Sequence, residues 1–180
     1  MEALECIKTR RSVRRYTDEP ISDEQIMQII DYAKLAPTWK NTQTLSYIVV
    51  RDKEVISKIK EECLLGFEHN VKTLDKCHTL VLLVQKNGIC GYEKDGSFST
   101  SKGTGWEMFD AGIAAMTFCL AAHEMGIGSC IQGVFDDSKV AQIIGLEEGK
   151  TVAALIPIGK PKFEPDPTPR KDTAELIKFI

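Results

Sequence analysis

The sequence has few of the features that mark secreted, membrane-spanning or metal-binding proteins. No uncharged apolar run reaches about 18 residues, the length that a membrane-spanning helix needs. The six cysteines form no CxxC pair, so we expect packed, reduced thiols rather than a disulfide framework or a zinc site. The N-terminal segment lacks the pattern of a secretion signal. We therefore expect a cytoplasmic protein that holds no metal and contacts no membrane.

The sequence also lacks the signatures of the common nucleotide-binding folds and of nucleic-acid binding. No GxxxxGK[ST] motif is present, and the glycine-rich stretch at 126–133 follows a helical pattern rather than a strand. The end of a helix is a sufficient explanation for Gly126 and Gly128. With 23 basic and 26 acidic residues and an isoelectric point near 5.7, the chain has no excess of positive charge for a nucleic acid.

The 180 residues, 43% of them apolar, predict a single domain over 1–180 with a substantial core. The clearest local signal is a capping box, in which Ser22 is followed three residues later by Gln25. A helix that begins there would bury Ile26, Ile29, Ile30 and Ala33 and end before Pro37. Further helices are predicted at 2–8, with Leu4 and Ile7 facing inward, and at 53–64, 106–125 and 138–144.

Three apolar runs at 45–50, 79–84 and 151–159 predict buried strands, so the fold class is α+β. The predicted helix at 106–125 is apolar on nearly all sides, which predicts a central, buried position. A three-stranded sheet is too small to bury the whole apolar surface of this helix. We therefore expect a second copy of the chain to bury part of that surface in a homodimer.

Two other segments have no clear periodicity. Residues 87–105 contain five glycines, and so long a loop is a lid, a binding loop or a disordered segment. Residues 161–180 form a proline-rich tail that ends in a weakly capped turn.

An unusual concentration of arginine lies at 9–16, where "TRRSVRRY" places four arginines in eight positions. Three explanations are open: a solvated surface, a nucleic-acid contact, which the acidic chain disfavours, or a site for a small phosphorylated anion. Arginine suits a phosphate because its planar guanidinium donates two parallel hydrogen bonds and keeps its charge. Alternation along the stretch would place Arg10, Ser12 and Arg14 on one face, with Arg11 and Arg15 on the other.

Several stretches in order resemble the FMN-dependent nitroreductases. They are "RRSVRRY" after a first helix, "APTWKNTQ" after the next, "DAGIAAMTFCLAAHEMGIGS", and "PIGKP" followed by a basic residue. The resemblance covers residues 2 to about 172. It implies a three-layer α/β/α sandwich with a mixed, mainly antiparallel sheet around a long central helix, in an intertwined homodimer whose C-terminal extension packs on the partner.

The resemblance also implies where FMN binds. One protomer would hold the phosphate and one flavin edge, the partner would place its 37–43 segment over the ring, and Gly133 would offer an N–H near N5. Lys72 would stabilise negative charge on the reduced flavin; the alternative is a solvated lysine. The implied contacts are Arg10, Arg11, Ser12, Arg14, Pro37, Thr38, Asn41, Gln43, Asn70, Lys72, Ile131, Gln132, Gly133, Gly159 and Arg170. Lys171 is a further candidate beside Arg170.

The activity implied by the resemblance is a ping-pong reaction in which NAD(P)H reduces the flavin and a nitroaromatic, a quinone or a related small molecule accepts the electrons. No catalytic side chain is required, because the cofactor carries the redox chemistry. Thr44 and Leu45 stand where many members have Pro-Trp, and Gln132 stands where others have an acidic or aromatic residue. These departures concern the substrate pocket. Alternatives are an ene-reductase or dehydrogenase of the same fold, or a flavin-binding module without turnover.

Overall fold

In the computed structural model, which describes residues 2–180, a four-stranded sheet lies between two layers of helices. The strands are β1 (Leu45–Val50), β2 (Thr79–Lys86), β3 (Gly128–Ser129) and β4 (Lys150–Gly159). The helices are α1 (Ala3–Thr9), α2 (Asp23–Ala33), α3 (Lys53–Glu62), α4 (Glu68–Leu74), α5 (Gly105–Glu124), α6 (Asp137–Ile144) and α7 (Thr173–Leu176), with a 3₁₀ turn at Trp39–Asn41.

The strands lie in the order β1–β2–β4–β3, and every pair of them is antiparallel. A parallel component comes from the arginine stretch, where Ser12 forms an isolated bridge with Ser129 of β3. The predicted mixed, mainly antiparallel sheet is confirmed. The arginine stretch therefore extends the sheet at its β3 edge.

The central strand β2 explains why the domain has three layers. Its apolar residues alternate, so Val81 and Leu83 face one helical layer while Leu80 and Leu82 face the other, and all four are fully buried. The first layer is formed by α2 and α5, which contribute Ile29 and Phe118 among others. The second layer is formed by α3, α4 and α6, which contribute Ile59, Leu74 and Val140.

The predicted start of α2 is confirmed in detail. Ser22 Oγ accepts a hydrogen bond from Gln25 N at 3.2 Å, and Gln25 Oε1 accepts one from Ser22 N at 3.0 Å. The residues before and inside the first turn, Ile21 and Ile26, are both buried, as a hydrophobic staple requires. The capping box thus fixes both the start of the helix and the face that it buries.

The structure corrects the expectation for α1. Leu4 and Ile7 are exposed, Leu4 by 81%, whereas Cys6 is buried and its Sγ lies 3.5 Å from the carbonyl oxygen of Leu120 on α5. A seven-residue helix packs only a narrow stripe against its neighbour, and here Cys6 lies on that stripe.

Two further expectations about burial and helix content were wrong. The strand β1 lies at the edge of the sheet, so Val50 alone of its residues is buried. The helix α4 was not predicted at all, because its seven residues combine polar side chains with too few apolar positions to show a helical period.

The long helix α5 is buried on one side only. Ala111, Ala115 and Phe118 lie in the core, but Met108 and Phe109 are exposed, so one protomer leaves part of the helix uncovered, as expected from the modest size of the sheet. The helix extends from Gly105 to Glu124 and is followed by Gly126, whose φ of 68° lies in the left-handed region, as predicted for a helix end. In residues 2–180, no helix is both long and apolar enough to cross a bilayer.

Candidate functional site

The arginine stretch is attached to the sheet through two inward-facing residues, Val13 and Tyr16. Val13 N donates a hydrogen bond to Ser129 O at 2.9 Å, and the Tyr16 hydroxyl lies 2.7 Å from Val13 O and 3.0 Å from Pro157 O. Both side chains are buried, and burial raises the pKa of Tyr16 well above its usual value. The arginines between and beside these anchors are therefore held at defined positions on the surface.

The first cavity next to the stretch has a volume of about 740 Å³ and contains Arg10 and Arg11 in its wall. His123 of α5 also lines it, and its Nε2 lies 2.8 Å from Thr9 Oγ1. The opposite wall is the first part of the C-terminal tail, from Pro161 to Pro167. The cavity is thus formed where the tail passes the end of α1.

The second cavity, of about 450 Å³, contains Arg14 in its wall. It brings together five of the residues implied by the resemblance, although they lie on three separate segments of the chain. These five are Arg14, Asn70, Ile131, Gln132 and Gly133; the other lining residues are Phe67, His69, Cys130 and Val134. None of the nine is acidic, so the cavity favours a ligand with negative charge.

The structure does not bear out the alternation predicted for the stretch. Arg10 and Arg11 share the first cavity, whereas Arg14 lines the second. The reason is that Arg11 Nη1 donates hydrogen bonds to the carbonyl oxygens of Lys8 at 2.7 Å and Arg10 at 2.9 Å, which turns its side chain back over the end of α1. The segment is therefore not a straight strand with two regular faces.

Gln132 is the most unusual polar residue of the second cavity. Its side chain is 2% exposed, and neither its Nε2 nor its Oε1 has a hydrogen-bond partner within residues 2–180. Buried polar groups are nearly always paired, because an unpaired one keeps the full cost of leaving water. Gln132 is among the residues that line the second cavity, and a polar ligand there would give its amide the partners that the protomer lacks.

The arginines of the stretch are not held in ion pairs within residues 2–180, although Glu5, Glu164 and Asp166 line the first cavity beside Arg10 and Arg11. Within residues 2–180, no carboxylate forms an ion pair with Arg10, Arg11, Arg14 or Arg15. Arg10 also has a buried Nε atom without a partner. Three of the four guanidinium groups, those of Arg10, Arg11 and Arg14, line the two cavities and are able to bind an anion there.

Helix α4 carries two of the implied residues, of which Asn70 lines the second cavity and Lys72 does not. Asn70 is buried, and its Nδ2 donates to Val134 O at 3.3 Å, so the amide is held at the wall of the second cavity. Lys72 is exposed, and its Nζ forms an ion pair with Glu68 Oε2 at 2.9 Å. In this arrangement the charge of Lys72 is directed to Glu68 and away from the cavity.

The segment 37–44 has a strained backbone. Lys40, Asn41 and Gln43 have φ angles of 45°, 55° and 50°, although none of them is glycine. Such conformations cost about 1–3 kcal/mol each and occur most often at functional sites. Thr38 and Gln43 line a third cavity of about 340 Å³, and Thr38 Oγ1 accepts a hydrogen bond from Gln43 N at 3.1 Å. This segment lies away from the two cavities at the arginine stretch.

Gly159 and Arg170 lie outside the lining of all three cavities. Gly159 ends β4 in the core, where a Cβ atom would lie 2.8 Å from the Tyr16 side chain, so a packing constraint accounts for the glycine. Arg170 is exposed in the tail, and its Nη1 donates to Thr168 and to Pro169 O. Within the protomer it does not reach Arg10.

Sequence reasoning missed the residues that close the second cavity on one side, Phe67 and His69. The centroids of their rings are 5.6 Å apart, and the rings meet edge to face. Both residues line the second cavity. The helix that carries His69 gave no periodic signal, so no pattern pointed to these side chains. Cys130 was noted as a packed thiol, and burial does raise its pKa although Arg14 opposes the shift.

Comparisons with known proteins agree with this architecture. The sequence profile of the Nitroreductase family matches residues 7–160. An Archaeoglobus fulgidus relative whose name includes NAD(P)H nitroreductase is 32% identical over 169 residues, which are 92% of this chain and 88% of the relative. The NAD(P)H FMN reductase of Bacillus subtilis is 32% identical over 178 residues, which are 94% of this chain and 70% of that protein.

Solved structures show the same fold. The structure of B. megaterium NfrA2 superposes with a TM-score of 0.83 and 27% identity, covering 99% of this chain and 74% of that chain. A Desulfovibrio desulfuricans structure that contains FMN superposes with a TM-score of 0.80 at 22% identity, covering 98% and 95% of the two chains. The fold is that of a nitroreductase-like α+β sandwich. The chain belongs to the nitroreductase family.

Proposed function

We propose that this protein is an FMN-dependent oxidoreductase that takes electrons from NAD(P)H and passes them to a small acceptor. Two kinds of observation support this. The chain belongs to the nitroreductase family, and its relatives include an NAD(P)H FMN reductase and an NADPH-flavin oxidoreductase. The acceptors that we propose are nitroaromatic compounds, quinones and related molecules.

The observation that carries the proposal is the unpaired amide of Gln132 in the second cavity. A flavin ring offers both hydrogen-bond donors and acceptors at its edge, so it can pair with both ends of a glutamine amide. Arg14 and Asn70 line the same cavity and supply further donors. The residues present therefore fit the polar edge of FMN.

We assign the FMN phosphate to the arginine stretch. Arg10, Arg11 and Ser12 carry the donors, and neither arginine forms an ion pair with a carboxylate within residues 2–180. A phosphate that binds there would also pair with the buried Nε of Arg10, which removes the cost of leaving it unpaired. Arg170 reaches this phosphate only if the tail takes a path other than the one in the protomer.

A homodimer with FMN at its interface completes the proposal. The exposed face of α5 presents Met108 and Phe109, and the tail presents Phe163, Leu176 and Phe179, all of them more than half exposed. Apolar surface of this kind is removed from water when two protomers associate. The strained segment that contains Pro37, Thr38, Asn41 and Gln43 would then contact the flavin held by the other protomer.

FMN, when bound, accepts a hydride from NAD(P)H and delivers electrons to the acceptor. The chain's own residues bind and orient it. Arg14 and Gly133 both line the second cavity; the guanidinium of Arg14 would favour negative charge on a bound flavin, and the backbone N–H of Gly133 would donate to its ring. Lys72 adds to this only if it leaves Glu68. Because the chain contributes position and charge rather than a reacting side chain, one pocket can serve the donor and the acceptor in turn, as in a ping-pong mechanism.

The proposal is tested with the purified dimer. We expect a yellow protein with a flavin absorption band that oxidises NADH or NADPH in the presence of a quinone or a nitroaromatic compound, with parallel lines in double-reciprocal plots. Reduction of an activated alkene alone would indicate an ene-reductase. A yellow protein without turnover would indicate a flavin-binding module, and a colourless protein that ignores added FMN would refute the proposal.

A further inference from the structure

One buried carboxylate connects the segment 37–44, which the family resemblance places over the flavin, with the glycine-rich loop 87–105. Asp110 of α5 is 2% exposed, and its Oδ2 accepts hydrogen bonds from Trp39 N at 2.7 Å and from Cys90 Sγ at 3.1 Å. Aspartate is almost never fully buried unless it is paired. Here both donors come from segments distant in sequence, 37–44 and 87–105.

The position of this contact matters because Trp39 immediately precedes the strained part of the 37–44 segment. Lys40, Asn41 and Gln43 have left-handed φ angles, and such conformations persist only where the surroundings fix them. The backbone N–H of Trp39 is held by a charged acceptor in the protein interior, which is a strong form of hydrogen bond.

Other contacts tie the same segments together. The ring centroids of Trp39 and Trp106 are 4.6 Å apart, and Lys40 Nζ lies 3.2 Å from Glu93 Oε1. The Trp106 indole donates to Thr100 Oγ1 at 2.8 Å, which connects the 87–105 loop to α5. The loop and the segment therefore form one unit around Asp110.

We infer that Asp110 is a positioning residue that holds the 37–44 segment in the conformation that contacts FMN across the dimer interface. The inference rests on the proposed function for the identity of the ligand. It assigns to the 87–105 loop, through Cys90, a share in holding this segment.

Two substitutions of Asp110 should differ in effect, because a single oxygen accepts both hydrogen bonds. Both donors meet at Oδ2, so an asparagine can place its amide oxygen there and keep both hydrogen bonds in weaker, uncharged form. Burial and the neighbouring Asp110 carboxylate raise the pKa of Cys90 to about 12, so its thiol keeps the proton that it donates. Asp110→Asn should therefore keep part of the FMN affinity and part of the protease resistance of the 37–44 segment that Asp110→Ala loses.

Glu107 provides a matched control on the same helix. It is also buried, and its Oε1 accepts a hydrogen bond from a backbone group, Gly88 N, at 2.7 Å. Its hydrogen bond holds the start of the 87–105 loop and does not involve the 37–44 segment. Glu107→Ala thus removes a comparable anchor without releasing Trp39.

The experiment combines FMN titration by fluorescence quenching with limited trypsin digestion of the apo dimer. We expect Asp110→Ala to weaken FMN binding about tenfold or more and to speed cleavage after Lys40, with Asp110→Asn intermediate in both. Glu107→Ala should lower the thermal midpoint yet stay close to wild type in both measurements. If Asp110→Ala does not fold, the comparison of Asp110→Asn with Glu107→Gln replaces it.

The inference is overturned if the Asp110 variants bind FMN and resist trypsin at Lys40 as the wild type does. It is also overturned if the Glu107 and Asp110 variants lose affinity only in proportion to their loss of stability. A wild-type protein that does not bind FMN refutes the proposed function instead. In that case, cleavage after Lys40 that is faster in the Asp110 variants than in the wild type and the Glu107 variants would still support the role of Asp110 in holding the 37–44 segment.

Discussion

The side chain of Val13 lies so close to Gly128 that a Cβ atom there would be 2.7 Å from Val13 Cβ. This contact fixes the arginine stretch on β3, together with the hydrogen bond from Val13 N to Ser129 O at 2.9 Å. Gly128 was expected to mark the end of a helix. Its actual role is to leave room for the segment that carries the arginines.

Gly128→Ala should therefore displace the arginine stretch. Overpacking of this kind costs about 1–3 kcal/mol, which corresponds to roughly 2–12 °C in the thermal midpoint of a chain of this size. FMN affinity should fall as well, because the donors move with the backbone. Calorimetry and FMN titration measure the two effects. Gly105→Ala is the control, since the nearest atom to its Cβ position lies at 3.8 Å.

Arg10→Ala and Arg14→Ala should each weaken FMN binding about tenfold to a hundredfold, because a charge-assisted hydrogen bond contributes about 1.5–3 kcal/mol. Arg15→Ala should leave the affinity nearly unchanged, since Arg15 lines neither of the two cavities beside the stretch. Titration of the apo protein with FMN checks all three. Unchanged affinity in the Arg10 variant would show that the phosphate binds elsewhere, and unchanged affinity in the Arg14 variant would show the same for the flavin ring.

Gln132→Leu should have opposite effects on stability and on binding. The apo protein should gain about 1–3 kcal/mol in its free energy of unfolding, because two buried polar atoms without partners are removed. FMN affinity should fall, because the flavin edge loses its amide partner. Urea unfolding of the apo form and FMN titration provide the two numbers.

Gln85→Leu is the matched control for that substitution. Gln85 is equally buried and its Oε1 also has no partner, but its Nε2 donates to Thr44 Oγ1 at 3.0 Å and to Lys86 O at 2.6 Å. Its removal should destabilise the apo protein. A loss of stability in Gln132→Leu as well would argue against the cavity as a polar ligand site.

Gly112→Glu should prevent dimer formation without harming the protomer. Gly112 is exposed on α5, and no atom lies within 4 Å of its Cβ position. Glutamate also favours the helix more than glycine does. In a dimer the same charge would be buried against apolar surface, so sedimentation velocity should show monomers that bind FMN weakly. A dimer of wild-type affinity would place the interface elsewhere.

The decrease in the free energy of unfolding as the pH falls should depend on His123. Burial, with a further effect of Arg10, lowers the pKa of this histidine below its usual 6.5, so the unfolded chain takes up its proton first as the pH falls. Its contribution to stability is complete above pH 6.5 and is lost as the pH falls through the lowered pKa. Urea unfolding between about pH 5 and 8 should show a shallower decline in His123→Gln than in the wild type. An unchanged slope would contradict this.

The sequence alone determined the elements whose signals are local. The capping box at Ser22 and Gln25 set the start of α2, and the apolar runs at 79–84 and 151–159 set the central strands within a few residues. The arginine stretch led to the proposal of an anion site from side-chain chemistry, which the FMN titrations test. Each of these inferences needed only neighbours in the chain.

Tertiary structure decided whatever depends on residues far apart in sequence. Only the folded chain places Asn70 and Gln132 at the same cavity as Arg14, sends Arg10 and Arg11 to a different one, and joins Trp39 and Cys90 at the carboxylate of Asp110. It also decided which face of α5 stays uncovered in the protomer, namely the face that carries Met108 and Phe109. The physical reason is that capping, helical periodicity and charge act between near neighbours, whereas burial and the convergence of polar groups depend on how separate elements pack.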